Sequence, residues 1–153
     1  MDRQLAETVA REINDCKSLF LSEIQELDRN SLRVVVAEGL PAGPPKSIEV
    51  GGVTIPDCTP IEVIDQSHVF EVFWRVYVGY TVLNESYASV DEEELGEGVR
   101  FRIYSKSRFI DFMSRATFAS DEYPGPTRHY CLACEDQIVH VLSVDAPAIK
   151  RLR

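Results

Sequence analysis

The stretch RHYCLACEDQIVHVL, residues 128 to 142, holds two of the four cysteines and two of the three histidines of this chain. Thiolate and imidazole are the usual ligands of structural zinc, and a Cys-x-x-Cys pair is also the working unit of thiol oxidoreductases. Spacing separates these chemistries. A zinc knuckle folds its Cys-x-x-Cys into a tight turn so that both sulfurs converge on one ion. Cys131 and Cys134 are instead separated by Leu-Ala inside an apolar run, and residues three apart on a strand point to opposite faces. A low-pKa redox thiol needs a helix N-terminus beside it, and here another strand follows. The surviving metal reading takes His129, Cys131 and His140 from one face of a hairpin turning near Asp136, one ligand short of a structural zinc site. The expectation is a hairpin of interior strands whose cysteines serve as small apolar residues, with no metal and no cofactor.

Nucleophilic hydrolysis needs a serine or cysteine beside a base and an orienting acid. The sequence contains no G-x-S-x-G elbow, no H-E-x-x-H helix and no phosphate-cradling glycine loop, so no catalytic residue is assigned. The candidates for recognition are acidic. Six acids and no base fall between Glu85 and Glu97, and Tyr87, Asp91, Glu92, Glu93, Glu94 and Glu97 form a candidate surface for a basic protein partner. Asp121, Glu122 and Tyr123 sit in a loop stiffened by Pro124 and Pro126, which would hold an aromatic anchor at low entropic cost. The plainer alternatives are a solvated charge run and a tyrosine folded back on the core. Arg100, Arg102, Lys106 and Arg108 make a local basic stripe, expected to pair with the preceding acids at ~0–1 kcal/mol for each exposed pair.

These residues need elements to position them. Leu5, Val9 and Ile13 recur every fourth residue, which predicts an amphipathic helix over residues 3 to 14. A strand at about 18 to 26, a turn at Asp28 to Ser31 and a return strand through Leu32, Val34 and Val36 follow. GLPAGPPK, 39 to 46, reads as a loop, and SIEVGGVTI as a hairpin about Gly51-Gly52, at an edge. HVFEVFWRVYVGYTVL, from His68, reads as the central strand, with Phe70, Val72, Trp74, Val76 and Val78 facing the core. VRFRIYS places Val99, Phe101 and Ile103 inward. Ser107 caps a helix at about 107 to 116 with Phe109, Phe112, Met113 and Ala116 on one face, and Asp145 with Pro147 starts a short C-terminal helix. The expected fold is a single α+β domain, residues 1 to 153, with a mostly antiparallel twisted sheet of about six to eight strands.

At 153 residues with 44% apolar and 27% charged composition, the chain has what an ordinary globular core requires. The N-terminal stretch lacks the continuous apolar run of a secretory signal, and Glu71 and Arg75 interrupt the longest apolar segment below membrane-spanning length. A cytoplasmic protein with reduced thiols is expected. A net charge of −9 argues against nucleic-acid binding through a phosphate-neutralising surface and favours a basic partner.

The segment SKSRFIDFMSRATFASDEYPGPTRHYCLAC is similar in cadence to small uncharacterised bacterial proteins, and the acidic, compact character is similar to immunity proteins that neutralise secreted toxins. That resemblance implies a non-enzymatic binding protein whose acidic surface meets a basic protein partner. Two alternatives stand beside it. One is a small-molecule binder or enzyme with a pocket at the sheet, built from His129, His140, Tyr123 and Glu122. The other is a structural or oligomeric subunit.

Overall fold

The computed structural model describes residues 3 to 153. Among the described residues it has two α-helices and twelve strands, every strand pair antiparallel, in two five-stranded sheets and one two-stranded ribbon. The mixed class is as expected. The arrangement is not one sheet of six to eight strands, because the segment expected to be its centre divides between two sheets.

The helix α1, Arg3–Asp15, buries Val9 and Ile13 as its periodicity requires; the side chain of Leu5 lies outside the described residues. The first sheet has the order β1 (Ser18–Gln25), β2 (Leu32–Pro41), β6 (Val69–Trp74), β12 (Ala148–Arg151), with β5 (Ile61–Glu62) pairing the end of β2. The proline-rich segment expected to be all loop thus gives its first three residues to β2. Asn30 takes the left-handed conformation (φ 58°) that asparagine tolerates, closing the turn between β1 and β2. The Gly-Gly hairpin forms as the ribbon β3 (Lys46–Val50) and β4 (Val53–Cys58), with both glycines at positive φ.

The second sheet runs β7 (Gly79–Asn84), β11 (Gln137–Ser143), β10 (Arg128–Ala133), β9 (Phe101–Lys106), β8 (Leu95–Glu97). The apolar run that reads as one strand therefore leaves the first sheet after Trp74 and enters the second at Gly79. Phe70, Val72 and Trp74 are buried as alternation predicts, but Val76 is half exposed and starts no core row. No turn residue marks this break. Tertiary partners make it: the Tyr77 N–H donates to Asn30 O, in the turn between β1 and β2, at 2.9 Å, and the Val78 N–H to Leu142 O of the second sheet at 2.7 Å.

The two sheets share one core. Leu19, Leu32, Val34, Val36, Phe70, Val72, Trp74 and Ile149 from the first meet Phe101, Tyr130, Leu132, Val139 and Val141 from the second, with Val9 and Ile13 of α1 joining them. Val99, expected inward, is exposed just before β9, while Phe101 is buried. The expected C-terminal helix is β12. Ile149 is buried against the core and residues 148 to 151 complete the edge of the first sheet beside β6, so pairing and burial override the local helix-start signal. No described helix is long and apolar enough to cross a membrane.

Candidate functional site

The opening segment forms the hairpin of β10 and β11, two interior strands of the second sheet, and its two faces do different work. Tyr130, Leu132, Val139 and Val141 enter the shared core, as does Cys134 just past β10. His129, Cys131 and His140 occupy the opposite face, with Cys131 directly across from His140 and His129 across from Leu142. The thiols of Cys131 and Cys134 thus belong to opposite faces, and all four cysteines are free. Burial pushes the Cys131 and Cys134 thiols up to about 12, the range of inert apolar-site cysteines.

Helix α2, Arg108–Ala116, lies over that outer face. Ser107 is its N-cap, with Oγ accepting the Ile110 N–H at 3.1 Å. Met113 is buried and packs so closely at the start of β7 that a Cβ added to Gly79 would stand 2.4 Å from its Cε, whereas Phe112 and Ala116 of the expected apolar face are exposed. The same Ser107 hydroxyl lies 2.7 Å from His129 Nδ1, and His129 Nε2 lies 2.8 Å from His140 Nδ1. A buried chain Ser107–His129–His140 results. The Tyr104 ring stacks on His129 with centroids 4.6 Å apart, and Phe109 of α2 contacts both imidazoles.

Burial holds both histidines neutral. Desolvation, helped by the nearby His140, lowers His129 to about 3; desolvation also lowers His140, against an opposing pull from Glu94. Both ring nitrogens of His129 are engaged, so this imidazole has none to offer a metal. Among the described residues, no group of three His, Cys, Asp or Glu side chains is arranged to hold an ion. The order serine, histidine, histidine invites comparison with a nucleophile and its base, but Ser107 is 2% exposed and already caps a helix. What the chain can do is fix the orientation of its outer member, His140.

His140 lines a cavity of about 670 Å³ between the outer face of the second sheet, α2 and the segment before β8. That volume suits a small organic ligand. Its walls are mainly apolar and aromatic, including Tyr80, Tyr87, Tyr104, Phe109 and Phe112, with Glu94, Arg102 and Arg108 as the charged members. Arg108 Nε is 3.3 Å from Asp91 and 3.7 Å from Glu94, and the Glu94 carboxylate also accepts the first backbone N–H of α2 at 2.9 Å. Arg102 differs. Its guanidinium lies over the Tyr104 ring at 4.9 Å and donates to Gly96 O at 3.3 Å, while its buried Nε has no partner and no acid is paired with it among the described residues.

The sequence-derived candidates separate into three groups. Asp91 and Glu94 are joined to Arg108, and Glu93 to Lys106 at 3.2 Å, so half of the basic stripe pairs with the acidic run as expected. Arg100 instead forms an ion pair with Glu135, nitrogen to oxygen 2.9 Å. Tyr87 is exposed at the cavity mouth, and Glu92 and Glu97 are exposed nearby. Asp121, Glu122 and Tyr123 lie apart. Tyr123 stacks on Phe118 and lines a second cavity of about 720 Å³ with Val76, Tyr77 and Val144, so neither it nor Glu122 joins the histidines as one reading expected. Sequence reasoning missed Tyr104, Ser107 and Phe109 as partners of the histidine pair, and Arg102 as part of the wall of the same cavity. The parity of His129 and His140 and the Ser107 cap were both legible; that α2 docks on that particular face was not.

Searches of protein-family models, of curated proteins and of solved structures found no match to this chain, so the site is read from its own geometry.

Proposed function

We propose that the protein binds a small organic molecule in the cavity between α2 and the outer face of the second sheet. The observation that carries this reading is the buried Ser107–His129–His140 chain, which ends at an imidazole lining a cavity of ligand size. A buried polar chain on an otherwise apolar face lowers stability unless its members are satisfied, and it orients one polar group at the wall of a ready-made cavity. The test is a metabolite library screened by protein-detected NMR. The expected result is a compound shifting the amides of Thr81, Arg102, Arg108 and His140, with Ala88→Trp, which fills the mouth, abolishing the shifts. Hits indifferent to Ala88→Trp would refute the reading.

A second reading, the acidic, immunity-like one, is favoured by a separate observation. Phe118 and Tyr123 are 84% and 66% exposed, stacked on one another, and beside the exposed Asp121 and Glu122. Exposed aromatics flanked by acids suit a basic protein partner with an apolar anchor. Such a complex would weaken steeply with salt and fail in Tyr123→Ser; salt-insensitive binding would count against it.

A further inference from the structure

The hydrogens of the Ser107–His129–His140 chain follow from its geometry. Ser107 Oγ accepts from the Ile110 N–H, and its own hydrogen has one acceptor within reach among the described residues, His129 Nδ1. His129 Nδ1 is therefore bare, and the neutral ring carries its proton on Nε2. That N–H donates to His140 Nδ1, which leaves the neutral His140 with its proton on Nε2. The serine, through one buried ring, makes the cavity-lining imidazole a donor.

A donor in a cavity calls for an acceptor on the ligand. The charges add sign to that demand. Arg108 is already held by Asp91 and Glu94, whereas Arg102, a guanidinium, has no acid against it among the described residues and an orphaned buried Nε. Arg102 and His140 line the same cavity, one strand to either side of Cys131, and the rings of Tyr104 and Phe109 line it with them. A guanidinium and an imidazole N–H together match a carboxylate, and the aromatic walls match a ring. We infer that the ligand is a ring-bearing monocarboxylate, its carboxylate shared by Arg102 and the Nε2–H of His140.

This inference rests on the proposed ligand cavity and is tested separately from it. Titration with 2-naphthoate, 2-naphthamide and 2-naphthylmethylamine presents one ring with an anion, a neutral amide and a cation. The expected order is naphthoate first by about tenfold over the amide, with the amine undetected, since a charge-assisted bond is roughly twice a neutral one. Arg102→Gln should erase the preference for the acid, and Arg102→Lys should restore part of it. Long-range ¹H–¹⁵N spectra of the wild-type protein should show both imidazoles as Nε2–H tautomers, a readout independent of how the variants fold. A His140 protonated on Nδ1, or amine binding as tight as the acid's, would overturn the inference. If the amine or amide binds in the cavity and the acid does not, the ligand site stands and only its anion preference falls.

Discussion

The first sheet carries on its outer face a line of alternating charges, Glu23, Arg33, Glu71 and Lys150, one from each of four adjacent strands and bonded in sequence at 2.5, 2.6 and 2.8 Å. The second sheet carries on its outer face a pair of neutral imidazoles, aromatic rings and a helix. Both faces belong to antiparallel sheets around the same core, so the sheet itself does not account for the contrast. Water does. On the first sheet, burial of Glu71 acts to raise its pKa, and the bonds from Lys150 and Arg33 overcome it, leaving the carboxyl below its ordinary range. On the second, α2 removes water from groups that have no counter-charge, and the histidines remain neutral. One face keeps its charges by pairing them, and the other keeps its two imidazoles buried by leaving them uncharged.

The contrast gives the two faces different pH windows, and this is the largest effect expected. His129 has an ordinary pKa of 6.5 unfolded and about 3 folded, so between those values the unfolded chain binds a proton that the folded chain does not. Its contribution is complete above pH 6.5 and is lost as pH falls toward 3, on the order of 3–5 kcal/mol in all, with His140 adding the same sign. The Glu71 contribution begins to fall only near its unfolded pKa of 4.5. Urea melts between pH 7 and 5 should therefore show a loss of stability that His129→Gln largely flattens; equal slopes in the two proteins would break the comparison.

Ser107→Ala should destabilise by roughly 2–3 kcal/mol, because it removes the α2 cap and leaves His129 Nδ1 without its donor. Chemical denaturation measures this, and a loss below about 1 kcal/mol would mean that the serine merely caps. On the first sheet, Arg33→Met should reduce stability by only about 1 kcal/mol, since its partners are partly solvated and Glu71 keeps Lys150. The smallest effect belongs to the shared core. The Tyr130 hydroxyl is buried without a hydrogen-bond partner among the described residues, so Tyr130→Phe should leave the melting temperature unchanged or raise it, by up to about 1 kcal/mol in stability.

Local signals were legible where local chemistry decides the outcome. Ser107 as a cap, Gly51-Gly52 as a turn and the opposed faces of Cys131 and Cys134 all follow from backbone preference or strand parity. The departure of the chain after Trp74 does not, since Arg75, Val76, Tyr77 and Val78 are as strand-like as their neighbours and only partners distant in sequence divert them. The C-terminal strand failed for the same reason, Ile149 being drawn into a core that its own surroundings do not announce. The candidate site was half visible. His129 and His140 share a parity, but Arg102 reads as one more solvated base until its guanidinium is seen lying over Tyr104, bonded to Gly96 O of β8, at the wall of the cavity.

The ribbon of β3 and β4 stands outside all of this, every residue from Lys46 to Asp57 being exposed, with open space around Gly51 and Gly52. A cleavage site inserted between those glycines would sever the backbone without opening the core. The first fragment would remain clasped to the second by the ladder of Leu32–Ala37 against Val69–Trp74 and by the cluster beneath it. Such a nicked protein should migrate as one species under native conditions and two under denaturing ones, which makes the molecule a natural candidate for a split reporter whose halves report on their own reunion.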